Sequence, residues 1–158
     1  MSEIFGAQLI KGGNYSDARG EMAFVNEFKP ADAQRFYTIK HPSTAVVRAW
    51  QGHEFEQKYF FPLTGQFLIA FVQIDNFEQP SINLGARFVI LDAEDTCLLK
   101  IPAGYANGLK AVTPNAMVGV FSGFELEKSV NEKRRYDPNL WFDWQKNYIE
   151  THQINRIY

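Results

Sequence analysis

The densest group of chemically capable side chains in this sequence lies between residues 47 and 60. It contains His53, and imidazole is the side-chain group that ordinarily titrates near neutral pH. The cations Arg48 and Lys58 lie before and after His53, two glutamates separate His53 from Lys58, and apolar residues flank the whole group. We interpret the stretch as one wall of a pocket, and the question it raises is whether that pocket supports a reaction.

Each of these residues also has a simpler interpretation. His53 is either a proton carrier or an ordinary polar residue of a pocket or surface, and Lys58 lies either in the pocket or on the outward face of its strand. Arg48 either contacts a substrate or forms an ion pair with Glu54 or Glu56. The two glutamates alternate along the chain and are expected to be solvated or paired with an arginine.

Length and composition exclude several classes of protein. The 158 residues are 46% apolar, which predicts a single globular domain over residues 1–158. No apolar run is long enough for a membrane span, no secretory signal opens the chain, and the net charge of −2 argues against nucleic acid as a partner. A cytoplasmic location is the resulting expectation. The single cysteine, Cys97, is expected to be buried, and His41 and His152 are expected at the surface.

The elements that must position the pocket are short strands. A turn signal recurs about every ten residues, and no long helix is predicted before Pro138, which favours an antiparallel sandwich or barrel. The predicted strands are residues 4–11, 21–28, 35–40, 44–50, 58–62, 66–75, 86–91, 96–101, 109–112 and 116–124.

The end of the chain is predicted to differ from this core, which runs from about residue 15 to residue 125. Residues 126–158 are expected to form a C-terminal extension that is helical or irregular. Within it, residues 129–136 are charged and expected to be solvated, and the last fourteen residues are polar and expected to be disordered or to pack on a partner.

Two loops, Gln51–Gly65 and Pro102–Asn107, resemble the two motifs of the cupin superfamily. The proline and glycines of those motifs are present at Gly65, Pro102 and Gly104. The four positions that hold the metal ligands of the superfamily contain Gln51, His53, Lys58 and Asn107. An ammonium has no lone pair and repels a divalent cation, so we predict that the protein binds no metal.

A closer resemblance, over about residues 15–145, is to the dTDP-4-dehydrorhamnose 3,5-epimerase family. It is carried by the turn Asp17–Gly20, by Val47-Arg48, by the strand that begins at Lys58 and its glycine turn, and by Ile101–Gly108. The segment Trp50–His53 is also similar to the related dTDP-sugar 3,4-ketoisomerases. The resemblance implies an all-β, cupin-type antiparallel jelly-roll barrel that forms a homodimer and acts on a nucleotide-diphosphate 4-keto-6-deoxysugar.

The implied chemistry is that of an isomerase and requires no cofactor. A hydrogen next to a ketone is acidic enough for a positioned base to remove, and the enolate oxygen is then stabilised by a cation or a hydrogen-bond donor. Reprotonation from the opposite face inverts the carbon, whereas reprotonation at another carbon moves the ketone.

The resemblance also implies roles for individual residues. His53 is the candidate base and Lys58 the candidate stabiliser of the enolate. Arg19 is a candidate diphosphate ligand, unless it forms a salt bridge with Asp17 or Glu21. The remaining candidates for substrate binding are Arg48, Phe24, Tyr37, Gln51, Tyr105, Asn107 and Phe121.

Two positions depart from the family pattern. Asn107 replaces a histidine, and the strand Val118–Phe124 lacks the tyrosine that serves as the acid in the epimerases. The pattern therefore favours a single epimerisation or a ketone migration, with Tyr37 or Tyr105 as the candidate acid. The alternative is a catalytically silent protein that binds a nucleotide sugar, or serves in an assembly, on the same scaffold.

Overall fold

The protein folds into antiparallel sheets with one short helix. The structure, a computed structural model, describes residues 2–4, 6–29, 31 and 33–158. Its elements are β1 Ser2–Ile4, β2 Ala7–Lys11, β3 Gly13–Asp17, β4 Gly20–Phe24, β5 Arg35–Lys40, β6 Val47–His53, β7 Lys58–Thr64, β8 Gln66–Gln73, β9 Arg87–Asp92, β10 Cys97–Ile101, β11 Tyr105–Ala111, β12 Met117–Ser122, α1 Leu126–Glu132 and β13 Arg134–Arg135.

Two sheets pack face to face. One has six strands in the order β1-β2-β10-β7-β12-β5, and the other has five in the order β13-β6-β11-β8-β9. Neighbours in the sheets are not consecutive in the chain, because strands that follow each other often lie in opposite sheets, as β6 and β7 do. This is the jelly-roll arrangement of an all-β fold, and it confirms the predicted fold class.

The main core lies between the two sheets. Alternate residues of each strand point into it, and Phe60, Ile69, Leu99 and Val120 are among its fully buried members. Because the side-chain period of a strand is two, the residues on either side of these face away from the core. That alternation decides which predicted site residues face the interior.

Residues 136–158 cover the outer face of the five-stranded sheet, where Trp144 packs on Trp50. The expectation that the last fourteen residues are disordered or pack on a partner is wrong. The backbone N–H of Asn155 donates to the carbonyl of Ile90 at 2.7 Å, and Tyr158 exchanges two backbone hydrogen bonds with Phe88. Aromatic residues at 148 and 158 provide the apolar surface that the polar composition concealed.

Two glycine turns position the predicted motifs as expected. Gly65 has φ of 65° between β7 and β8, and Gly104 has φ of 92° just before β11, a region of φ that favours glycine. The strand after Gly104 is longer than predicted, because β11 pairs along its length with β6 on one side and β8 on the other. Most of the predicted loop 102–108 is therefore strand.

The hairpin β3–β4 forms a separate two-stranded sheet. The prediction of a half-buried strand over residues 21–28 is wrong, since all residues of β4 are exposed. The expectation that residues 129–136 are solvated holds only in part. Val130, Asn131 and Arg135 are exposed, but Ser129 is buried and the other four residues are partly buried. No helix in the described ranges has the length and apolar character needed to cross a lipid bilayer.

Candidate functional site

A cluster of polar side chains lies inside one end of the sandwich, centred on Glu56. Residues 54–57 connect β6 of one sheet to β7 of the other, so His53 at the end of β6 and Lys58 at the start of β7 both reach the interior. Glu56 is only 1% exposed, His53 2% and Lys58 5%. Charged groups are rarely buried to this degree unless they are paired, so their partners define the site.

The carboxylate of Glu56 accepts hydrogen bonds from two buried serines. The Ser122 hydroxyl at the end of β12 donates to Oε1. The Ser129 hydroxyl on α1 donates to Oε2 at 2.7 Å. The ring Nδ1 of His53 lies 3.0 Å from the same Oε2, although the ring N–H is not well aligned with that oxygen.

Two cations complete the surroundings of Glu56. Lys58 Nζ and Arg35 Nη2 each lie 3.8 Å from Oε1. Lys58 also donates a hydrogen bond of 2.8 Å to the hydroxyl of Tyr37, which links the cluster to β5.

These contacts keep Glu56 ionised. Burial acts to raise the pKa of this carboxyl, but the contact with His53, the charge of Lys58 and the two serine hydroxyls together lower it to about 2. A negative charge therefore remains beside His53 throughout the neutral range.

A second carboxylate approaches His53 from the last residue of α1. Glu132 Oε1 lies 3.5 Å from His53 Nδ1 and accepts the backbone N–H of Glu56 at 2.9 Å. Two carboxylates at Nδ1 favour a proton on that nitrogen, which leaves Nε2 as the basic nitrogen of the neutral ring. His53 Nε2 is buried and has no hydrogen-bond partner among the described residues.

Of the two expectations for Glu56, solvation or pairing with an arginine, the structure shows the second. The arginine is Arg35 of β5, and no ion pair joins Glu56 to Arg48 among the described residues. Sequence reasoning also missed Ser122, Ser129 and Glu132. One signal was available: Ser122 follows Val118 and Val120 at the spacing of a strand, so the apolar face on which the serine lies was predictable.

Several predicted residues do face the interior beside this cluster. Gln51 lies opposite Asn107 in the pairing of β6 with β11, and His53 lies opposite Tyr105. Tyr105 and Asn107 are buried, and burial raises the pKa of the Tyr105 hydroxyl. The four positions that match the cupin ligands thus face the same interior, three from one sheet and Lys58 from the other.

Phe121 does not belong to this group. It lies between Val120 and Ser122, both of which point inward, so its ring is on the outer face of the six-stranded sheet. There it packs against Phe28 and Phe36, with ring centroids 5.0 and 4.8 Å away. Its predicted role in substrate binding does not fit that position.

Arg19 and Phe24 lie on the exposed hairpin β3–β4, away from the cluster around Glu56. The Arg19 guanidinium forms a salt bridge with Asp17 at 2.5 Å. The ring of Phe24 lies over the backbone of Gly13. These positions bring neither residue to His53 within the described chain.

Three further expectations concern single residues. His41 was expected at the surface but is buried, with its ring edge against Phe67, and burial lowers its pKa. His152 is also only partly exposed and packs on Tyr158. Cys97 is buried as expected, and burial raises the pKa of its thiol to about 11, which does not suit a nucleophile.

His53, Glu56 and Glu132 also satisfy the distance requirement for a metal site, since their ligand atoms lie within 4.8 Å of one another. However, Glu56 already accepts two hydroxyl hydrogen bonds and has two cations 3.8 Å away. A divalent cation would compete with these cations for the same carboxylate. The donor set therefore fits a histidine placed between two carboxylates better than a metal site, and the absence of a metal stays a prediction.

Comparison with known proteins places this geometry in context. No protein-family model and no curated protein matches the chain in sequence. In structure it is similar to dTDP-4-dehydrorhamnose 3,5-epimerase from Sulfolobus tokodaii, with a TM-score of 0.73 and 22% identity, covering 91% of this chain and 84% of that one. The chain has the cupin-type jelly-roll fold of the dTDP-sugar epimerases and ketoisomerases.

Two other similar structures come from proteins with different named activities. A mutant of the 3,4-ketoisomerase QdtA from Thermoanaerobacterium thermosaccharolyticum, in complex with TDP-4-keto-6-deoxyglucose, has a TM-score of 0.67 and 16% identity, covering 84% of this chain and 89% of that one. ChmJ, a 3'-monoepimerase from Streptomyces bikiniensis in complex with dTDP-quinovose, has a TM-score of 0.71 and 16% identity, covering 87% of this chain and 74% of that one. At these identities the similarity establishes the cupin fold and its sheet arrangement.

Proposed function

We propose that the protein is an epimerase or ketoisomerase of a nucleotide-diphosphate 4-keto-6-deoxysugar. The observation that carries the proposal is the arrangement of His53, whose Nδ1 faces two carboxylates while Nε2 lacks a partner among the described residues. An imidazole held in this way is a base with one free lone pair. The cupin fold shared with dTDP-sugar epimerases and ketoisomerases supports the choice of substrate.

The first step is removal of a proton from the carbon next to the ketone. His53 Nε2 takes the proton, and the electrons of the C–H bond form an enolate. The imidazolium that results carries a positive charge next to Glu56, whose ionised carboxylate stabilises it. Glu56 would thereby make His53 a stronger base, because it stabilises the protonated form of the ring.

The second step returns a proton to the enolate. Lys58 Nζ is the buried cation placed to stabilise the enolate oxygen, and it donates a hydrogen bond to Tyr37 at 2.8 Å. Of the two candidate acids, Tyr37 is favoured by this contact, because its hydroxyl is held next to the cation that marks the oxygen of the substrate. Delivery of the Tyr37 proton to the opposite face of the deprotonated carbon gives epimerisation. Delivery to the former carbonyl carbon gives ketone migration, provided that the hydroxyl proton of the deprotonated carbon passes to the enolate oxygen.

Access to this site depends on α1. His53 and Lys58 are almost fully enclosed, and Ser129 and Glu132 of α1 contact Glu56 and His53 directly. A substrate therefore reaches Nε2 only when a covering element moves. The seven-residue helix is a small unit held by a few polar contacts, so it is the element we expect to move.

The test is hydrogen exchange in deuterated water with a dTDP-4-keto-6-deoxyhexose. We expect deuterium at a carbon next to the ketone, detected by NMR or mass spectrometry, and a loss of about 100-fold or more in rate for His53→Ala. His152→Ala, on the outer face of the five-stranded sheet, is the matched control and retains the rate. Full exchange by the His53→Ala protein would refute the assignment of the base.

The enclosure of His53 and Lys58 favours a second candidate, a protein that binds a nucleotide sugar without converting it. Asn107, which cannot exchange protons near neutral pH, supports the same candidate. Saturable binding of dTDP-sugars together with no deuterium incorporation would select it over the enzyme.

The proposal includes two further points that follow from the resemblance. The protein is expected to work as a homodimer, and sedimentation at micromolar concentration that shows only monomer would contradict this. It is also expected to work without metal, because Lys58 replaces a ligand of the cupin site. Metal analysis that finds a stoichiometric transition metal, with activity lost on chelation, would overturn that point.

A further inference from the structure

Strand β13 lies along the edge of β6 and brings one further cation, Arg135, to the face of the sheet that contains the site. Arg135 is opposite Gln51 in this pairing and Arg134 is opposite Gly52. The next residue, Tyr136, exchanges two backbone hydrogen bonds of 3.2 Å with Trp50. The segment that follows α1 therefore has a fixed register on the strand that ends at His53.

The register places Arg134 and Arg135 on opposite faces of the sheet. Arg134 pairs with Glu78 at 3.0 Å, and Tyr136 packs on Trp141 in the outer aromatic cluster. Arg135 lies between these two residues, so its side chain is on the face that Gln51 and His53 share. Arg135 is exposed and has no ion-pair partner among the described residues.

Arg48 comes to the same face through an irregularity in β6. The register between β6 and β11 shifts after Asn107, so that Arg48 lies opposite Leu109. Leu109 belongs to the core between the sheets, and residues directly opposite each other in an antiparallel pair share a face. Arg48 is exposed and, within the described ranges, makes no ion pair.

Lys133 lies between α1 and β13, and the charges of the nearby cations affect the pKa of its ammonium. Burial lowers the pKa of its ammonium, and the positive charges of Arg135, Lys58 and Arg48 lower it further. Glu56 opposes this effect, but that carboxylate is enclosed and already contacts other groups. The mouth of the site therefore has an excess of positive charge.

We propose that Lys133 and Arg135, together with Arg48, bind the diphosphate of a nucleoside-diphosphate ligand. The nature of the ligand rests on the proposed function, while the location of its phosphates rests on these cations. A guanidinium binds phosphate oxygens through two parallel hydrogen bonds, and an anion would relieve the repulsion among the three side chains. With the diphosphate at β13, the sugar lies on the side of His53 and Lys58.

The proposal replaces Arg19 as the main phosphate ligand within one chain. Arg19 is already neutralised by Asp17 in the exposed turn of the hairpin. Arg48, Lys133 and Arg135 have no such partner among the described residues, and Arg48 and Arg135 lie on the sheet face that also carries His53.

The test is calorimetric titration of the full-length protein with dTDP and, separately, with inorganic pyrophosphate. We expect Arg135→Gln and Lys133→Gln each to lower the affinity for both ligands about tenfold or more. The matched control is Arg134→Gln, which removes the neighbouring guanidinium on the opposite face and is expected to leave both affinities within about twofold. Thermal melting of each variant verifies that it is folded.

Several outcomes would overturn the inference. One is that the wild-type protein binds neither dTDP nor pyrophosphate. A second is that Arg134→Gln lowers the affinity as much as Arg135→Gln does. A third is that Arg19→Gln lowers the affinity while Arg135→Gln leaves it unchanged. The deuterium experiment separates this from the proposed function. If dTDP binds through Lys133 and Arg135 but no exchange occurs, the phosphate site stands and the enzyme proposal fails. If exchange occurs but the Lys133 and Arg135 variants bind dTDP as tightly as the wild type, the enzyme proposal stands and the phosphate site fails.

Discussion

The hairpin β3–β4 and the segment from α1 through β13 make an instructive contrast. The hairpin contains the most recognisable short motif of the chain, Asp17–Gly20, yet its residues are exposed and its arginine is paired locally. The α1–β13 segment contains no recognisable motif, yet Ser129 and Glu132 contact the groups around His53. Similarity to a motif and contact with the candidate base are thus found in different regions.

The difference has a physical origin. A turn motif is local and needs only its own residues to form, so it is visible in the sequence wherever it occurs. The contribution of α1–β13 depends on tertiary pairing with β6, which joins residues more than seventy positions apart. If this contrast is correct, substitutions in the two regions will differ strongly in their effects on stability and binding.

The largest effect is expected at Glu56, where the α1 segment meets the base. Glu56→Ala leaves His53, Lys58 and Arg35 without their shared carboxylate, and we expect a loss of about 3–5 kcal/mol in the free energy of unfolding. Glu56→Gln keeps the shape and is expected to lose less. Urea denaturation followed by circular dichroism measures both, and an unchanged midpoint for Glu56→Ala would contradict the structure of the cluster.

A pH dependence of similar origin is expected. The pKa of Glu56 falls from 4.5 to about 2 on folding, so its ionised form contributes stability that is fully present above about pH 4.5. This contribution, about 3 kcal/mol in size, is lost as the pH falls toward 2. Measured by urea denaturation across that range, the difference between wild type and Glu56→Gln should therefore shrink on acidification.

The hairpin provides the comparison for this measurement. Asp17 also has a lowered pKa, through its hydrogen bonds with Arg19, but it lies on the exposed hairpin. We expect Asp17→Asn to show the same pH dependence as wild type. A curve for Asp17→Asn that matches Glu56→Gln would remove the contrast between the two regions.

A smaller effect is expected for a single contact of α1. Ser129→Ala removes the hydroxyl that donates to Glu56, and the cost of leaving that carboxylate with fewer donors is about 1.5–3 kcal/mol. The matched control is Ser16→Ala on the exposed strand β3, which should be neutral within error. If α1 also limits the access of a substrate to His53, Ser129→Ala will increase the rate of deuterium incorporation into the sugar, even though it lowers the stability of the protein.

The smallest effect is expected at Arg19. Its salt bridge lies at the surface, with the Arg19 side chain 86% exposed, so Arg19→Gln should leave the melting temperature unchanged. A clear destabilisation would show that the hairpin is held by contacts beyond those of the single chain, such as those of a homodimer.

The sequence predicted the fold better than the site. Short alternating strands such as β5, predicted at residues 35–40 and found there, show themselves through their period of two. His53 and Lys58 were recognisable because their types and spacing match a motif. Glu56 was not, because its burial depends on Ser122 and Ser129, which come from distant parts of the chain.

Face assignments failed for a related reason. Phe121 is of a residue type that often lines pockets, and only the inward orientation of Val120 and Ser122 shows that it faces outward. For Arg135 the sequence predicts only a solvated charge, since nothing local indicates that residues 134 and 135 join a sheet. Two-residue strands have too little pattern of their own to be predicted.

The pairing of residues 155–158 with β9 has a consequence for how the protein behaves at high concentration. β9 is the last strand of its sheet, and an uncovered edge of this kind offers backbone groups to which another chain can add. The hydrogen bonds from Asn155 and Tyr158 occupy part of that edge. Deletion of these residues should therefore promote self-association through strand addition, with the added chain lying against the backbone of Phe88 and Ile90.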